Sequence, residues 1–278
     1  MSLSLESARK AALRAAEAAS AELRAAMKQP LSIAEKSSFR DIVTNADLAS
    51  EKAIRSLLEP AFPGVHWLGE ESGNSLPEEG YFWAVDPLDG TTNFSHGYPW
   101  FAVSIALCEA AQNDAGFIPL MGVVQHPLTG KVLHALAGKG AFCGPQRLAA
   151  SSKRSLRDAL VVTGFEYNVG ERLQGFLSLI QEVLRAVQGM RRSGSAVLDL
   201  AGVAEGNVDA FFEYGNKTWD VAAGLLLVRE AGGVARYWHA ERPLTIAAAP
   251  GVAAELSGLL SAHEKRLALA TGQAPVRH

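Results

Sequence analysis

Apolar residues recur at helical spacing near the start of the chain. Leu5, Ala8, Ala12, Ala16, Ala19, Leu23 and Met27 share one face of residues 5–28, and charges occupy much of the other. This predicts a helix with one buried stripe, stopped by Pro30. Lys36 to Arg40 reads as a polar loop, and a second helix is predicted over about 46–58, ending at Glu59-Pro60. Shorter apolar runs follow. His66 to Gly69, Tyr81 to Val85, the partly alternating Phe101 to Leu107, Met121 to Gln125 and Val132 to Ala137 are bounded by Gly and Pro, as strands of a meander are. In Tyr81 to Val85 the strand is expected to break at Pro87, leaving Asp89 on a turn.

Leu160-Val161-Val162 opens a second half of the chain. The pattern there predicts a helix at about 171–188, a turn at Ser193-Gly194-Ser195, a short helix to Ala204 and a strand over Val208 to Phe212. A helix over Trp219 to Ala231, strands near Val234 to Trp238 and Leu244 to Ala247, and a helix at about 251–262 complete it, with a loose tail after Thr271. Helices and strands are mixed throughout, which argues for a layered α/β (α+β) architecture. With no repeat and no linker, one domain over 1–278 is expected. Its halves, about 1–150 and about 151–270, would complete one site between them.

Composition narrows the partners. Twenty-six basic against 29 acidic residues give a net charge of −3 in 278 residues, with a pI near 6.2. No global basic footprint for nucleic acid exists, so an anionic ligand needs local help from metal ions or backbone amides. Cys108 and Cys143 lack metal-site spacing and read as reduced thiols, which suits the cytoplasm. No apolar run is long enough for a membrane span, and the amphipathic N-terminus does not read as a signal peptide.

The chemistry concentrates in Trp83-Ala84-Val85-Asp86-Pro87-Leu88-Asp89-Gly90-Thr91-Thr92-Asn93-Phe94. An apolar strand ends in a carboxylate, and a second follows three residues later. Such neighbours repel, and burying either is costly. A divalent cation removes both objections, and hard oxygen ligands suit Mg²⁺ or Mn²⁺. Gly90-Thr91-Thr92 resembles a helix start whose free amides receive phosphate oxygens. Three further carboxylates have plainer readings when taken alone. Glu70 in Gly69-Glu70-Glu71-Ser72 passes as an acidic turn. Asp220 after Trp219 and Asp47 in Asp41–Asp47 pass as acids complementing a helix start. None of the seven histidines falls in these motifs; His96, just after the Asp string, reads as a surface residue.

Together and in this order, the Glu-Glu-Ser, Asp-Pro-Leu-Asp-Gly-Thr-Thr-Asn-Phe and Trp-Asp motifs, with Arg229-Glu230-Ala231-Gly232-Gly233, resemble the inositol monophosphatase family of lithium-sensitive, magnesium-dependent phosphatases. Arg191-Arg192-Ser193-Gly194-Ser195-Ala196 is most similar to its bacterial SuhB-like branch. The resemblance covers about Lys36 to Gly233. It implies a five-layer αβαβα sandwich, a homodimer and a phosphorylated polyol substrate. By that resemblance Glu70, Asp86 and the Leu88 carbonyl hold one metal, and Asp86, Asp89 and Asp220 a second, with a weaker third ion near Glu70. Asp47 pairs with Thr91, which orients the attacking water; Glu70, Thr91 and Asp47 are thus the catalytic set. Gly90 and Thr91 amides bind phosphate. Gly194, Ser195, Ala196 and Glu213 face polyol hydroxyls, and Lys36 sits on a loop closing over the metals. Alternative substrates on the same site are fructose 1,6-bisphosphate, histidinol phosphate or a 3′-phosphoadenosine nucleotide. The SuhB-like branch also implies contact with RNA polymerase and its Nus factors. Lys217-Thr218 before Trp219 departs from that branch's Lys-Pro, and Glu166 to Glu171 matches no pattern.

Overall fold

A computed structural model describes residues 3–73, 75–166 and 170–271. The chain runs α1 (Leu5–Ala26), β1 (Ile33–Ser38), β2 (Asp41–Thr44), α2 (Asn45–Ala61), β3 (His66–Gly69), β4 (Tyr81–Asp89), α3 (Thr91–Ser95), β5 (Ala102–Ala110), β6 (Phe117–His126), β7 (Lys131–Leu136), β8 (Gly140–Cys143) and β9 (Gln146–Arg147). It continues through β10 (Leu160–Thr163), α4 (Leu173–Ala186), β11 (Gly189–Arg191), α5 (Ala196–Ala204), β12 (Ala210–Tyr214), α6 (Thr218–Glu230), β13 (Val234–Trp238), β14 (Leu244–Ala248) and α7 (Pro250–Thr271).

Five layers result. β3 to β9 form a seven-stranded sheet in sequential order, parallel only between β3 and β4. A five-stranded sheet has the order β11-β10-β12-β14-β13. Helices α1 and α2 cover the outer face of the larger sheet, and α5 and α6 lie between the sheets. Helices α4 and α7 cover the outer face of the smaller sheet. The middle helices are apolar all round: Val221 to Val228 of α6 are all buried, as a helix sandwiched between two sheets must be. One apolar cluster joins residues of both sheets through these two helices, among them Ala106, Val124, Leu225 and Phe211. The outer helix α1 keeps a single buried stripe of Ala8, Ala12, Ala15, Ala16, Ala19 and Leu23.

Several elements differ from expectation, each for a local reason. Lys36 belongs to a hairpin: Ile33, Ala34 and Glu35 pair with Thr44, Val43 and Ile42. Strand β1 is exposed along nearly its whole length, so it carries no alternating apolar signal. Helix α2 runs through Pro60 to Ala61, because a proline in a last turn removes only one helical bond. Strand β4 does not end at Pro87. It bulges between Asp86, opposite Ser104, and Asp89, opposite Ala102. Helix α4 starts later than predicted, at Leu173, after a 3-10 turn at Gly170–Arg172, and the short strands β8, β9 and β11 are additional. Helix α7 extends to Thr271. Its later turns are held by polar contacts, Tyr214 Oη to Glu264 at 2.7 Å and His263 Nδ1 to Glu182 at 3.0 Å, which an apolar pattern does not report. The predicted tail lies outside the described residues, as do 167–169 of the segment that matched no pattern.

Candidate active site

The acidic end of β4 opens into a pocket of about 410 Å³ between the two sheets. Its wall includes Glu70, Asp86, Leu88, Asp89, Gly90, Thr91, Gly194, Ser195, Ala196, Glu213, Asp220 and Lys36. Every site residue expected from sequence thus lines one cavity except Asp47, which lies fully buried behind Thr91.

Each acid is delivered by a different local rule. Phe82 to Leu88 are buried, and Asp86 is only 2 % exposed. Its Oδ1 accepts from the Leu88 amide at 2.9 Å across the bulge. Asp89 Oδ2 accepts from Ser195 Oγ at 2.6 Å and from the Val197 amide at 2.7 Å, and its Oδ1 from the Ala196 amide at 3.3 Å. The start of α5 is therefore tied to the end of β4. Ser195 and Ala196 line the pocket while their polar groups are engaged by Asp89. Glu70 follows β3, and its amide donates to the Val85 carbonyl of β4 at 3.1 Å. Its Oε1 lies 2.8 Å from Lys36 Nζ, which also reaches Glu71 at 2.6 Å. Asp220, in the first turn of α6, accepts from the Lys217 amide at 2.7 Å.

Asp47 does both things its sequence position allowed. Oδ2 accepts from the Thr44 amide at 2.8 Å and from Thr44 Oγ1 at 2.6 Å, closing a capping box at the start of α2. Oδ1 accepts from Thr91 Oγ1 at 2.9 Å, with the Leu88 carbonyl as a second acceptor for that hydroxyl at 3.1 Å. Gly90 turns the chain from β4 into α3 with φ +96°, a conformation costly for any other residue. A Cβ there would also meet the Gly194 and Trp100 carbonyl oxygens at 3.1 Å.

Acids outnumber bases along the pocket wall. Burial, with Glu70, Asp89 and Asp220 facing it, holds the Asp86 carboxyl well above the usual carboxylate range. Asp220 is likewise well raised by burial and by Glu70. Asp89 is pushed up to about 6 by burial, against the hydrogen bonds from Ser195 and Val197. Glu213 is pushed up to about 7 by burial. On Lys36, burial alone would lower the ammonium pKa, but Glu70 and Glu71 more than reverse this and raise it.

This donor set fits hard divalent cations: four carboxylates and a main-chain carbonyl, all oxygen, whose mutual repulsion a cation would relieve. Among the described residues, however, no three acids, histidines or cysteines close around one point as they stand. Lys36 and the α5 amides hold Glu70 and Asp89 in their present positions.

The family profile described as "Inositol monophosphatase family" matches residues 4–273. The chain belongs to the inositol monophosphatase family. It is 43 % identical over 201 residues to inositol-1-monophosphatase of Caulobacter vibrioides, covering 71 % of this chain and 76 % of that protein. It is 42 % identical over 209 residues to Nus factor SuhB of Pseudomonas aeruginosa, covering 73 % and 74 %. Among solved structures, the extragenic suppressor protein suhB of Bartonella henselae superposes with a TM-score of 0.81 at 34 % identity, covering 90 % of this chain and 97 % of that one.

The pocket of this family member also holds residues to which sequence reasoning gave no role. Arg192, Asp199, Asn216 and Lys217 line it beside the expected acids. All four stand within or next to the motifs, but nothing in their spacing showed that they turn inward. His96 keeps to the surface, bonded to its own short helix with Nδ1 3.0 Å from the Thr92 carbonyl. Among the described residues, no helix is long and apolar enough to cross a membrane.

Proposed function

We propose that the chain is a Mg²⁺-dependent phosphomonoesterase that hydrolyses inositol monophosphate to inositol and inorganic phosphate. The gathering of Glu70, Asp86, Asp89 and Asp220 in one pocket, against the buried Thr91–Asp47 pair, carries this reading. Glu70, Asp86 and the Leu88 carbonyl would hold one divalent ion, and Asp86, Asp89 and Asp220 a second; a third near Glu70 would require Lys36 to leave it. When bound, such ions neutralise phosphate charge and supply a hydroxide-like water at neutral pH.

The chain's own residues do the positioning that phosphoryl transfer needs. Thr91 donates to Asp47, so its oxygen lone pairs are left to accept from the attacking water and aim it at phosphorus. The Gly90 and Thr91 amides, at the open start of α3, receive phosphate oxygens. As the water oxygen bonds to phosphorus, the ester P–O bond breaks and the polyol leaves as an alcohol. Gly194, Ser195, Ala196 and Glu213 form the wall facing its hydroxyls. The molecule acts as one domain, as a cytoplasmic homodimer, with Mn²⁺ able to replace Mg²⁺ and lithium inhibiting.

A panel of inositol 1-phosphate, fructose 1,6-bisphosphate, histidinol phosphate and adenosine 3′,5′-bisphosphate with Mg²⁺ tests the substrate. Inositol 1-phosphate should give the highest kcat/KM; faster turnover of any other ester overturns the assignment. The likeness to proteins named Nus factor SuhB favours a second role as a protein partner of the transcription machinery. Retention of RNA polymerase and Nus factors from a lysate by the Asp86→Asn variant would establish that role apart from catalysis.

A further inference from the structure

The wall near Glu213 is built by the chain leaving β10. At Gly164, one residue past that strand, an added Cβ would overlap the Glu213 carboxylate, so the backbone passes in contact with it. Two residues on, Glu166 lines the same pocket. Its stem packs on Gly215, where an added Cβ would stand 3.1 Å from Glu166 Cγ. The two oxygens of Glu166 take different arginines. Oε1 accepts from Arg242 Nε at 2.5 Å, and Oε2 from Arg172 Nη2 at 2.9 Å. Arg242 is also held from the far side. Its Nη1 lies 3.4 Å from Oε1 of Glu264 in α7, and its guanidinium sits 3.8 Å over the Tyr214 ring. Tyr214 Oη donates to that same Glu264 oxygen at 2.7 Å.

Four charges thus alternate in one chain: Arg172, Glu166, Arg242 and Glu264. They sum to zero. The first three line the pocket, and Glu264 stands behind them. The Glu166 side chain is only 9 % exposed. Burying ions this far costs desolvation that their attraction offsets only in part, and apolar packing could hold α7 to β12 as well. What the chain of charges does supply is a cancelled field at this point of the wall. A guanidinium is the side chain best shaped to grip a phosphate, and here both are turned onto a carboxylate. Arg192, which also lines the pocket, lies over the Phe165 ring at 5.3 Å, and the charges of Glu213 and Asp199 oppose its own.

We propose that Glu166 determines specificity against a second phosphate: by engaging Arg172 and Arg242 it keeps the polyol end from receiving another phosphate group, so the enzyme favours monophosphates over bisphosphates of the same polyol. The inference rests on the phosphatase reading above, with the ester phosphate at the acidic end and the ring toward Glu213. Glu166 acts on the second phosphate alone, so its effect should fall on the bisphosphate, mainly through KM.

Two esters with the same ring test this: myo-inositol 1-phosphate and myo-inositol 1,4-bisphosphate. Whichever phosphate of the second enters the acidic end, the other faces the polyol end. With Mg²⁺, wild-type kcat/KM for the bisphosphate should lie about tenfold or more below that for the monophosphate. Glu166→Gln should raise the bisphosphate-to-monophosphate ratio of kcat/KM about thirtyfold, as charge-assisted bonds to phosphate become available. That gain should shrink as salt rises, and adding Arg172→Met should remove most of it. Arg172→Met alone, at a side chain 54 % exposed, leaves the buried ion pairs in place and should lower the ratio about threefold; it decides the matter if Glu166→Gln fails to fold. An unchanged ratio in either variant, equal losses on both esters, or a wild-type preference for the bisphosphate would overturn the inference while leaving the phosphatase reading intact. A wild-type enzyme that hydrolyses neither ester would overturn that reading and the inference with it.

Discussion

Two sets of acids share the pocket and are treated differently by the fold. On the larger sheet, Asp86 faces Glu70, Asp89 and Asp220, and burial and this repulsion raise its pKa. On the other side of the pocket, Glu213 of the smaller sheet has Arg192 nearby, and Asp199 of α5 accepts from Ser193 Oγ at 2.5 Å. Among the described residues, the first set crowds four acids together with Lys36 as its one ion-pair partner and otherwise neutral donors, an excess of negative charge that suits cations. The second sets Ser193 on Asp199 and the Arg192 charge near Glu213, a less crowded arrangement that suits neutral hydroxyls. On the proposed reading, the charged end would take phosphate with its ions and the polar end the polyol.

The contrast predicts unequal losses. Asp86→Asn should lower Mg²⁺-dependent phosphate release by at least about a thousandfold. The same change should leave the thermal midpoint in chelator unchanged or higher, because a repelled buried charge is gone. Near-wild-type turnover in this variant would break the metal assignment.

Thr91→Ala should cost about a hundredfold in kcat with KM within about twofold, since it removes the group proposed to aim the water. Asp47→Ala should match that kinetic loss and also destabilise the fold by about 1 kcal/mol, because the capping box at α2 goes with it. Calorimetry on the two variants separates the roles; equal midpoints would show that the cap contributes nothing.

The pH dependence follows from the raised acids. Asp89 titrates near 6 and Glu213 near 7 in the fold, against about 4 for free carboxyls. A folded-state pKa above the unfolded one contributes stability below the unfolded value and loses it as pH rises through the folded value. The metal-free protein should therefore weaken as pH rises from about 4 to about 7. Ions that need ionised ligands should restore it and release protons on binding. The thermal shift given by Mg²⁺ should grow from about pH 5.5 to about pH 7.5; a shift independent of pH would disconnect these acids from the ions. Smallest in effect, Glu213→Gln should raise KM for inositol 1-phosphate about tenfold with little change in kcat, and a loss confined to kcat would exchange the roles of the two ends.

Much of this was legible because it is local. The stripe of α1, the all-apolar run of α6, the buried run of β4 that delivers Asp86 and the first-turn acids Asp47 and Asp220 follow from spacing along the chain. Strand β1 escaped because nearly all of it is exposed, and the last turns of α7 because charged and hydroxyl groups, not apolar ones, dock them. Single acids were ambiguous for a physical reason: a carboxylate at a helix start lowers the energy whether or not it also meets a ligand. Asp47 satisfies both demands at once, one with each oxygen.

By itself, the sequence determined the layered architecture, the family and the carboxylates of the charged end, since each is written in a short string whose residues stay together in the fold. Only the tertiary structure decided that Asp89 anchors the start of α5 and that Gly164 makes room for Glu213. The first joins a strand end of the larger sheet to the start of a helix 106 positions on, and the second joins neighbouring strands of the smaller sheet, β10 and β12. Contacts of that kind exist only once distant segments have packed into one sheet or one helix has docked on a strand end.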